Sequence, residues 1–201
     1  MKRIYVCSPT SYWVNPEYMA SVVNAAVLLE RSGLAQVTFD LEIGAYIHHN
    51  RNSLVHRARE HEADGIIWVD SDMRFPEDSF RILLGHDRDF VGVNYRRKQP
   101  PYLFTAARIS DTDPSQIQSV PTTDDSKGLE QVSLLGFGLV YTSMKLFRNW
   151  QEPFDYILGS RGMSEDYVFC CRSGVDVYVD HDLSKRVCHM TSGAIAYDGK
   201  I

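Results

Sequence analysis

The stretch GIIWVDSDMRFPEDSF, residues 65–80, decides the fold. Residues 65–69 are mostly bulky and apolar and read as a buried strand, and the FPED that follows opens a helix with a proline and acidic first turn. Between them Asp70 and Asp72 flank Ser71. In an extended chain alternate side chains share a face, so the spacing predicts that the two carboxylates point one way and Ser71 the other. Two such charges repel unless a cation, a proton or cationic side chains neutralise them. A divalent cation is the simplest answer, and a hard ion held by one or two carboxylates plus phosphate oxygens is a common arrangement around a nucleotide. The competing reading makes both aspartates turn or helix-cap residues. FPED can cap the next helix without them.

Outward from this stretch, strands alternate with helices. RIYVC (3–7) reads as a strand and SPTSYWVNPEY as a turn-rich loop into a helix carrying Met19, Val22, Val23, Ala26 and Leu29, ended by Gly33. AQVTFDLEI (35–43) is a second strand, and RNSLVHRAREHEA (51–63) a second helix with its charged face outward. The strand at 64–70, a helix at 75–86 and the strand DFVGVNY (89–95) follow. This order predicts an α/β layer with a mostly parallel sheet, whose site opens at the carboxyl ends of the strands. The middle of the chain, with paired prolines and SDTDPSQ and PTTDDSKG runs, reads as a looser, partly antiparallel region. LLGFGLVYTSMKLFRNW then supplies a strand and a helix, SEDYVFCCRSG a helix and VDVYVDHD a strand.

The chain has 201 residues, 44% of them hydrophobic, enough for one domain over 1–201 with a sizeable core. A formal charge of -5 gives no overall basic field for gripping nucleic acid. The four cysteines, Cys7, Cys170, Cys171 and Cys188, form no C-x-x-C pair and read as core residues of a reducing compartment. No signal peptide or membrane-spanning segment is visible.

ADGIIWVDSDMRFPEDSFRILL resembles the core of the GT-A glycosyltransferases, whose D-x-D ends an internal strand and binds a metal–nucleotide-sugar complex. HNRNSLVHRA is similar to the segment opening the preceding helix in small bacterial and phage members. VGVNYRRK, LLGFGLVYTSMKLF and SEDYVFCCRSGVDVYVDHDL resemble, in turn, their next strand, their glycine-rich acceptor-side segment and their E-D helix with its following strand. The resemblance implies a GT-A fold, a Rossmann-like mixed and mostly parallel sheet flanked by helices. It implies a transferase that moves a sugar from a nucleotide-diphosphate sugar, uridine-based, to an acceptor hydroxyl on a glycan, a small molecule or a modified nucleobase. The setting it implies is the cytoplasm of a bacterium or phage-infected host.

Carried over residue by residue, the resemblance makes Asp70 a ribose or metal contact and Asp72 the main ligand of Mn²⁺ or Mg²⁺. His189, in RVCHMTSG, would complete the metal site; an ordinary structural histidine is the alternative. Ser8, Pro9 and Thr10 at the end of the first strand, with Arg51 and Ser71, would border the nucleotide; the alternatives are turn formers for Ser8 and Thr10 and a surface helix-start residue for Arg51. Gly136, Phe137 and Gly138 would let backbone approach the sugar, though a strand bulge explains the glycines equally well. Asp166 would be the base that takes the acceptor proton, with Glu165 positioning the acceptor; helix capping is the alternative for both. Arg96, Arg97 and Lys98 form a basic cluster able to face a diphosphate, or a solvated loop. His48, His49, His56 and His61 carry no assignment.

Two rivals share these features. A sugar-phosphate nucleotidyltransferase would place a glycine-rich phosphate loop after the first strand, and CSPTSYWVNP contains no glycine. A non-catalytic nucleotide-sugar-binding module would keep the fold without turnover.

Overall fold

The computed structural model describes residues 1–113, 115–155, 163–190 and 194–195. In chain order the elements are β1 (Lys2–Thr10), α1 (Pro16–Arg31), β2 (Ala35–Ile43), α2 (Ile47–Glu60), β3 (Gly65–Val69), β4 (Met73–Arg74) and α3 (Ser79–Gly85). There follow β5 (Phe90–Val93), β6 (Ala107–Ile109), β7 (Ile117–Ser119), β8 (Leu129–Val132), β9 (Leu139–Ser143), α4 (Glu165–Ser173), β10 (Val177–Asp180), α5 (His181–Ser184), β11 (Cys188–Met190) and β12 (Ala194–Ile195).

The main sheet has seven strands in the order β2-β1-β3-β9-β5-β10-β8. β1 is parallel to β2 and β3, and β10 to β5; β9 lies antiparallel between β3 and β5, and β8 antiparallel beside β10. β2, β1, β3, β5 and β10 therefore point the same way, giving the mostly parallel sheet expected from the alternating pattern. The looser middle is partly antiparallel, as expected, with β6 and β7 forming a hairpin.

Strand alternation divides the core into two layers. Ile4 and Val6 pack with Tyr18, Val22, Ala25 and Leu29 of α1 and with Phe80 and Leu83 of α3. Tyr5 and Cys7 face the other way, onto Leu54, Val55 and Ala58 of α2 and Phe169 of α4. Trp68 is fully buried in this second layer, and its indole N–H donates to Thr142 Oγ1 at 2.9 Å, so its polar edge is satisfied. Each such large side chain contributes about 1.5–3 kcal/mol by leaving water. All four cysteines are free.

Several boundaries differ from the sequence reading. β1 continues through Ser8, Pro9 and Thr10 because β2 offers it a parallel partner to the end, pairing Thr10 with Ile43. In α1 the Asn15 side chain accepts from Glu17 N–H at 2.8 Å and Gly33 turns the chain at φ 72°, but the inward stripe is Tyr18, Val22, Ala25 and Leu29. Val23 is 50% exposed; Tyr18 takes the inward place because its hydroxyl finds a partner in Ser8. α2 begins a turn early, and α3 begins late because residues 76–79 form a turn in which Pro76 C=O accepts from Ser79 N–H at 3.1 Å. The helix expected after β9 is a single 3₁₀ turn, Met144–Phe147.

β4 has only two residues, yet it fixes the site. It pairs antiparallel with β11, matching Met73 to His189 and Arg74 to Cys188. Met190 N–H also donates to Asp72 C=O at 2.7 Å. The C-terminal histidine is thereby brought to the end of β3.

Candidate functional site

The site occupies the carboxyl edge of the parallel strands, where such sheets bind ligands. β9 runs against them, so its preceding residues, Gly136–Gly138, reach the same edge; Asp70 N–H donates to Gly138 C=O at 3.0 Å. Asp70 to Met73 form a tight turn, closed by Met73 N–H donating to Asp70 C=O at 3.1 Å. The two aspartates are therefore not on one face of a strand, because the turn bends the chain after Val69 and sends each carboxylate to its own cation.

Asp70 Oδ1 lies 3.1 Å from Arg51 Nη2, and Arg51 Nε lies 3.4 Å from Glu165 Oε1. Arg51 is buried and not on an outward face: it heads the inward stripe of α2 above Leu54, Val55 and Ala58. Its guanidinium carbon sits 4.9 Å from the centre of the Phe137 ring and 5.8 Å from that of Trp68. Burial works against its charge, but Asp70 and Glu165 more than compensate and hold its pKa above the ordinary value. Burial pushes Asp70 up to about 7, opposed by Arg51 and reinforced by Asp72 and Glu165. Glu165 is raised too, again by burial against Arg51.

Asp72 has different neighbours. Its Oδ2 is paired with the Lys98 ammonium, and its Oδ1 lies 3.4 Å from His189 Nε2. Burial would raise this carboxyl, but His189 and Lys98 together hold it below the usual range. The His189 Nδ1–H donates to Arg96 C=O at 2.8 Å, because a carbonyl can only accept. Nε2 is thus aimed at Asp72, with its ring edge-on to Tyr95 at 5.1 Å between centroids. Asp72 Oδ1 is buried and has no hydrogen-bond partner among the described residues.

A carboxylate oxygen and an imidazole nitrogen that face one another, the second oriented by a backbone carbonyl, form a donor set that suits a divalent cation completed by phosphate or water oxygens. Asp72 and His189 fit that group. Asp70, tied to Arg51, does not converge with them, and among the described residues no three His, Cys, Asp or Glu side chains gather as an ion site.

Three adjoining clefts surround the turn. One of about 260 Å³ is lined by Pro9, Thr10, Gly44, Asn50, Ser71 and Asp72, among others. A second, about 500 Å³, shares Asp72 and adds Tyr95, Lys98 and His189. A third, also about 500 Å³, shares Arg97, Leu103 and Thr105 with the second and reaches Asp166 and Tyr167. A larger hollow, about 980 Å³, lies at the opposite edge of the sheet around Lys2, Asp64, Asp89 and Lys145 and contains none of the expected site residues.

Of those residues, Pro9, Thr10, Asp70, Ser71, Asp72, His189 and Asp166 line this trough. Thr10 Oγ1 and Ser71 Oγ are 3.2 Å apart, joining the ends of β1 and β3. Ser8 lies behind the wall, fully buried, with its hydroxyl taken by Tyr18. Phe137 is likewise fully buried beneath Arg51. Gly136 and Gly138 are needed for a side chain: a Cβ on Gly138 would stand 2.6 Å from the Tyr95 ring, and one on Gly136 2.8 Å from its hydroxyl. Glu165 turns inward to Arg51, whereas Asp166 faces the third cleft, its Oδ1 accepting from Tyr167 N–H at 2.8 Å and from the Ser164 hydroxyl.

Two contributors, Asn50 and Tyr95, lie outside the residues expected from sequence, and Arg97 of the basic cluster takes a specific place. Asn50 Nδ2 ties the nucleotide-side loop together, with Gly44 C=O at 3.2 Å and Thr10 C=O at 3.4 Å. Tyr95 fills the space over the two glycines and donates nothing to them; its hydroxyl accepts from Gly138 N–H at 3.0 Å. Arg97 donates to Tyr167 Oη at 3.2 Å at the junction of the second and third clefts. The spacing of Arg51 with Leu54, Val55 and Ala58 was a usable signal that the arginine faces inward.

No protein-family model matches the chain, and no curated protein matches it by sequence. Solved structures do match it by shape. The crystal structure of A197 from STIV aligns with all of this chain and 92% of its own, at 14% identity and a TM-score of 0.66. A crystal structure of the GT-A glycosyltransferase GalNAc-T7, with UDP, GalNAc and Mn²⁺, aligns with 95% of this chain at 12% identity and a TM-score of 0.56; the match spans 43% of that longer chain. Among the described residues no helix is long and apolar enough to cross a membrane. The mixed sheet, its strand order and these matches together show that the chain has a GT-A-like fold.

Proposed function

We propose that residues 1–201 form one metal-dependent glycosyltransferase domain that moves a sugar from a nucleotide-diphosphate sugar, a UDP-sugar, to an acceptor hydroxyl. The observation that carries this reading is the pairing of Asp72 with His189 at the carboxyl end of β3, a cation-ready donor set between two clefts. The cleft lined by Pro9, Thr10, Asn50 and Ser71 takes the nucleoside, and the turn presents Asp72 to the diphosphate side. When bound, Mn²⁺ or Mg²⁺ offsets the charge that develops on the departing diphosphate. Lys98 stands on the same side and adds a cationic hydrogen-bond donor.

On the far side Asp166 takes the acceptor proton as the new bond forms. Its Oδ1 is engaged by Ser164 and Tyr167, and Oδ2 has no partner among the described residues, which leaves that oxygen for the acceptor. Glu165 acts indirectly, by holding Arg51 under the D-x-D turn.

The test is turnover of a UDP-sugar panel with and without Mn²⁺. UDP release that needs the cation and disappears in Asp72→Ala supports the reading. Pyrophosphate exchange between a nucleoside triphosphate and a sugar 1-phosphate would replace it with nucleotidyl transfer. Tight UDP-sugar binding without any turnover would replace it with a binding module.

A further inference from the structure

We infer that Lys98 is a stand-in cation that couples the metal to the donor, an assignment that rests on the glycosyltransferase reading above. Its ammonium occupies Asp72 Oδ2 while Oδ1 faces His189, so the two oxygens of Asp72 are already divided between a positive charge and an imidazole. Lys98 lies on a segment anchored at its base. Arg97 N–H donates to Leu103 C=O at 2.9 Å, Arg96 Nη1 donates to Tyr102 C=O at 2.9 Å, and Arg96 C=O accepts from His189. The same short segment thus orients one ligand and neutralises the other. The Lys98 side chain itself is 37% exposed and borders the 500 Å³ cleft, so it is free to swing while its backbone stays in place.

Charge counting gives the consequence. The Asp72 carboxylate and the Lys98 ammonium cancel in the free protein. A divalent cation arriving alone would leave its own two charges uncompensated beside the ammonium, and a diphosphate diester arriving alone would leave two negative charges. When both arrive they cancel each other, and the ammonium moves from Asp72 to a phosphate oxygen, exchanging one charge-assisted hydrogen bond for another. Lys98 therefore disfavours the cation by itself and favours the donor by itself. The cation and donor are made to bind together, and the effect of each on the other is reciprocal.

The experiment measures two binary affinities on the full chain: Mn²⁺ alone, by the EPR signal of free Mn²⁺, and UDP alone in EDTA, by calorimetry. Lys98→Met should bind Mn²⁺ about tenfold more tightly than the wild type and UDP about tenfold more weakly, while Lys98→Arg stays near wild type for both. Opposite signs are the signature, because a structural defect would weaken both. Unchanged binary affinities in Lys98→Met, with the wild type still binding Mn²⁺ and UDP jointly, would overturn the coupling role and leave the glycosyltransferase reading standing. A wild-type chain that binds Mn²⁺ neither alone nor with UDP would overturn both.

Discussion

Arg51 Nη2 lies 3.1 Å from Asp70 Oδ1 with its side chain only 1% exposed, so the first aspartate of the D-x-D turn is tied to the helix that precedes its strand. The guanidinium also reaches Glu165 at the start of α4, and its Nη1 has no hydrogen-bond partner among the described residues. One buried cation thus links α2, the end of β3 and α4. Removing it would strand two carboxylates in a poorly solvated space, a change that costs about 3–5 kcal/mol. Urea denaturation of Arg51→Met should show a loss of that size, and adding Asp70→Asn and Glu165→Gln should recover part of it. A loss below about 1 kcal/mol, the range of exposed pairs, would mean that the cluster is solvated.

The raised pKa of Asp70 sets a pH dependence. Burial lifts the carboxyl to about 7 from an ordinary 3.8, so the folded protein keeps a proton that the unfolded chain has lost. Stability from this group is full below pH 4 and falls as pH rises towards 7. The loss should be at least about 1.4 kcal/mol, the equivalent of one pKa unit. Asp72, held low by His189 and Lys98 against its burial, acts in the other window and contributes stability lost only as pH falls below 4. Unfolding free energies measured from pH 4 to pH 8 should slope downward in the wild type and flatten in Asp70→Asn; equal slopes would contradict the assignment.

Under the proposed function, the neighbours Asp166 and Glu165 have separate tasks. Asp166→Asn should lower kcat by about 10²–10⁴-fold with UDP affinity unchanged. Glu165→Gln should instead lower the unfolding midpoint, since its carboxylate serves Arg51. Steady-state kinetics beside thermal melts separate the two, and a Glu165→Gln variant with the larger kinetic loss would reverse the assignment.

Gly138→Ala introduces a methyl 2.6 Å from the Tyr95 ring, and Tyr95 packs edge-on against His189. The overpacking should cost about 1–3 kcal/mol and weaken Mn²⁺ binding by displacing His189. Tyr95→Ala in the Gly138→Ala background should relieve the clash. A double variant no more stable than Gly138→Ala alone would show that the ring is not what the glycine accommodates.

Much of the fold was legible because its signals are local. β2 matches its expected bounds, and Gly33 ends α1 as read, since strand and helix periodicities are written within a few residues. The site was legible in its residue types and less so in its geometry. Nothing in MR or CHM announces a strand, yet the β4–β11 pairing is what sets His189 beside Asp72. The alternation expected for Asp70 and Asp72 gave way because a turn follows Val69, a competition between strand and turn decided by β4 leaving in a new direction. Ser8 and Phe137 are expected on the ligand side, but the depth of a residue behind a cleft wall depends on partners in other elements, Tyr18 of α1 for one and Arg51 of α2 for the other.

The proposed function requires the Asp72–His189 pair to receive a divalent cation together with a nucleotide diphosphate. Its most direct test is the melting temperature of the wild type and of Asp72→Ala with Mn²⁺, with UDP, and with both. Ligands that bind only the folded chain raise its stability by mass action. The joint shift in the wild type should exceed the sum of the separate shifts, and Asp72→Ala should show no joint excess. A wild type stabilised equally by UDP with and without Mn²⁺, or an Asp72→Ala variant that keeps the joint shift, would contradict it.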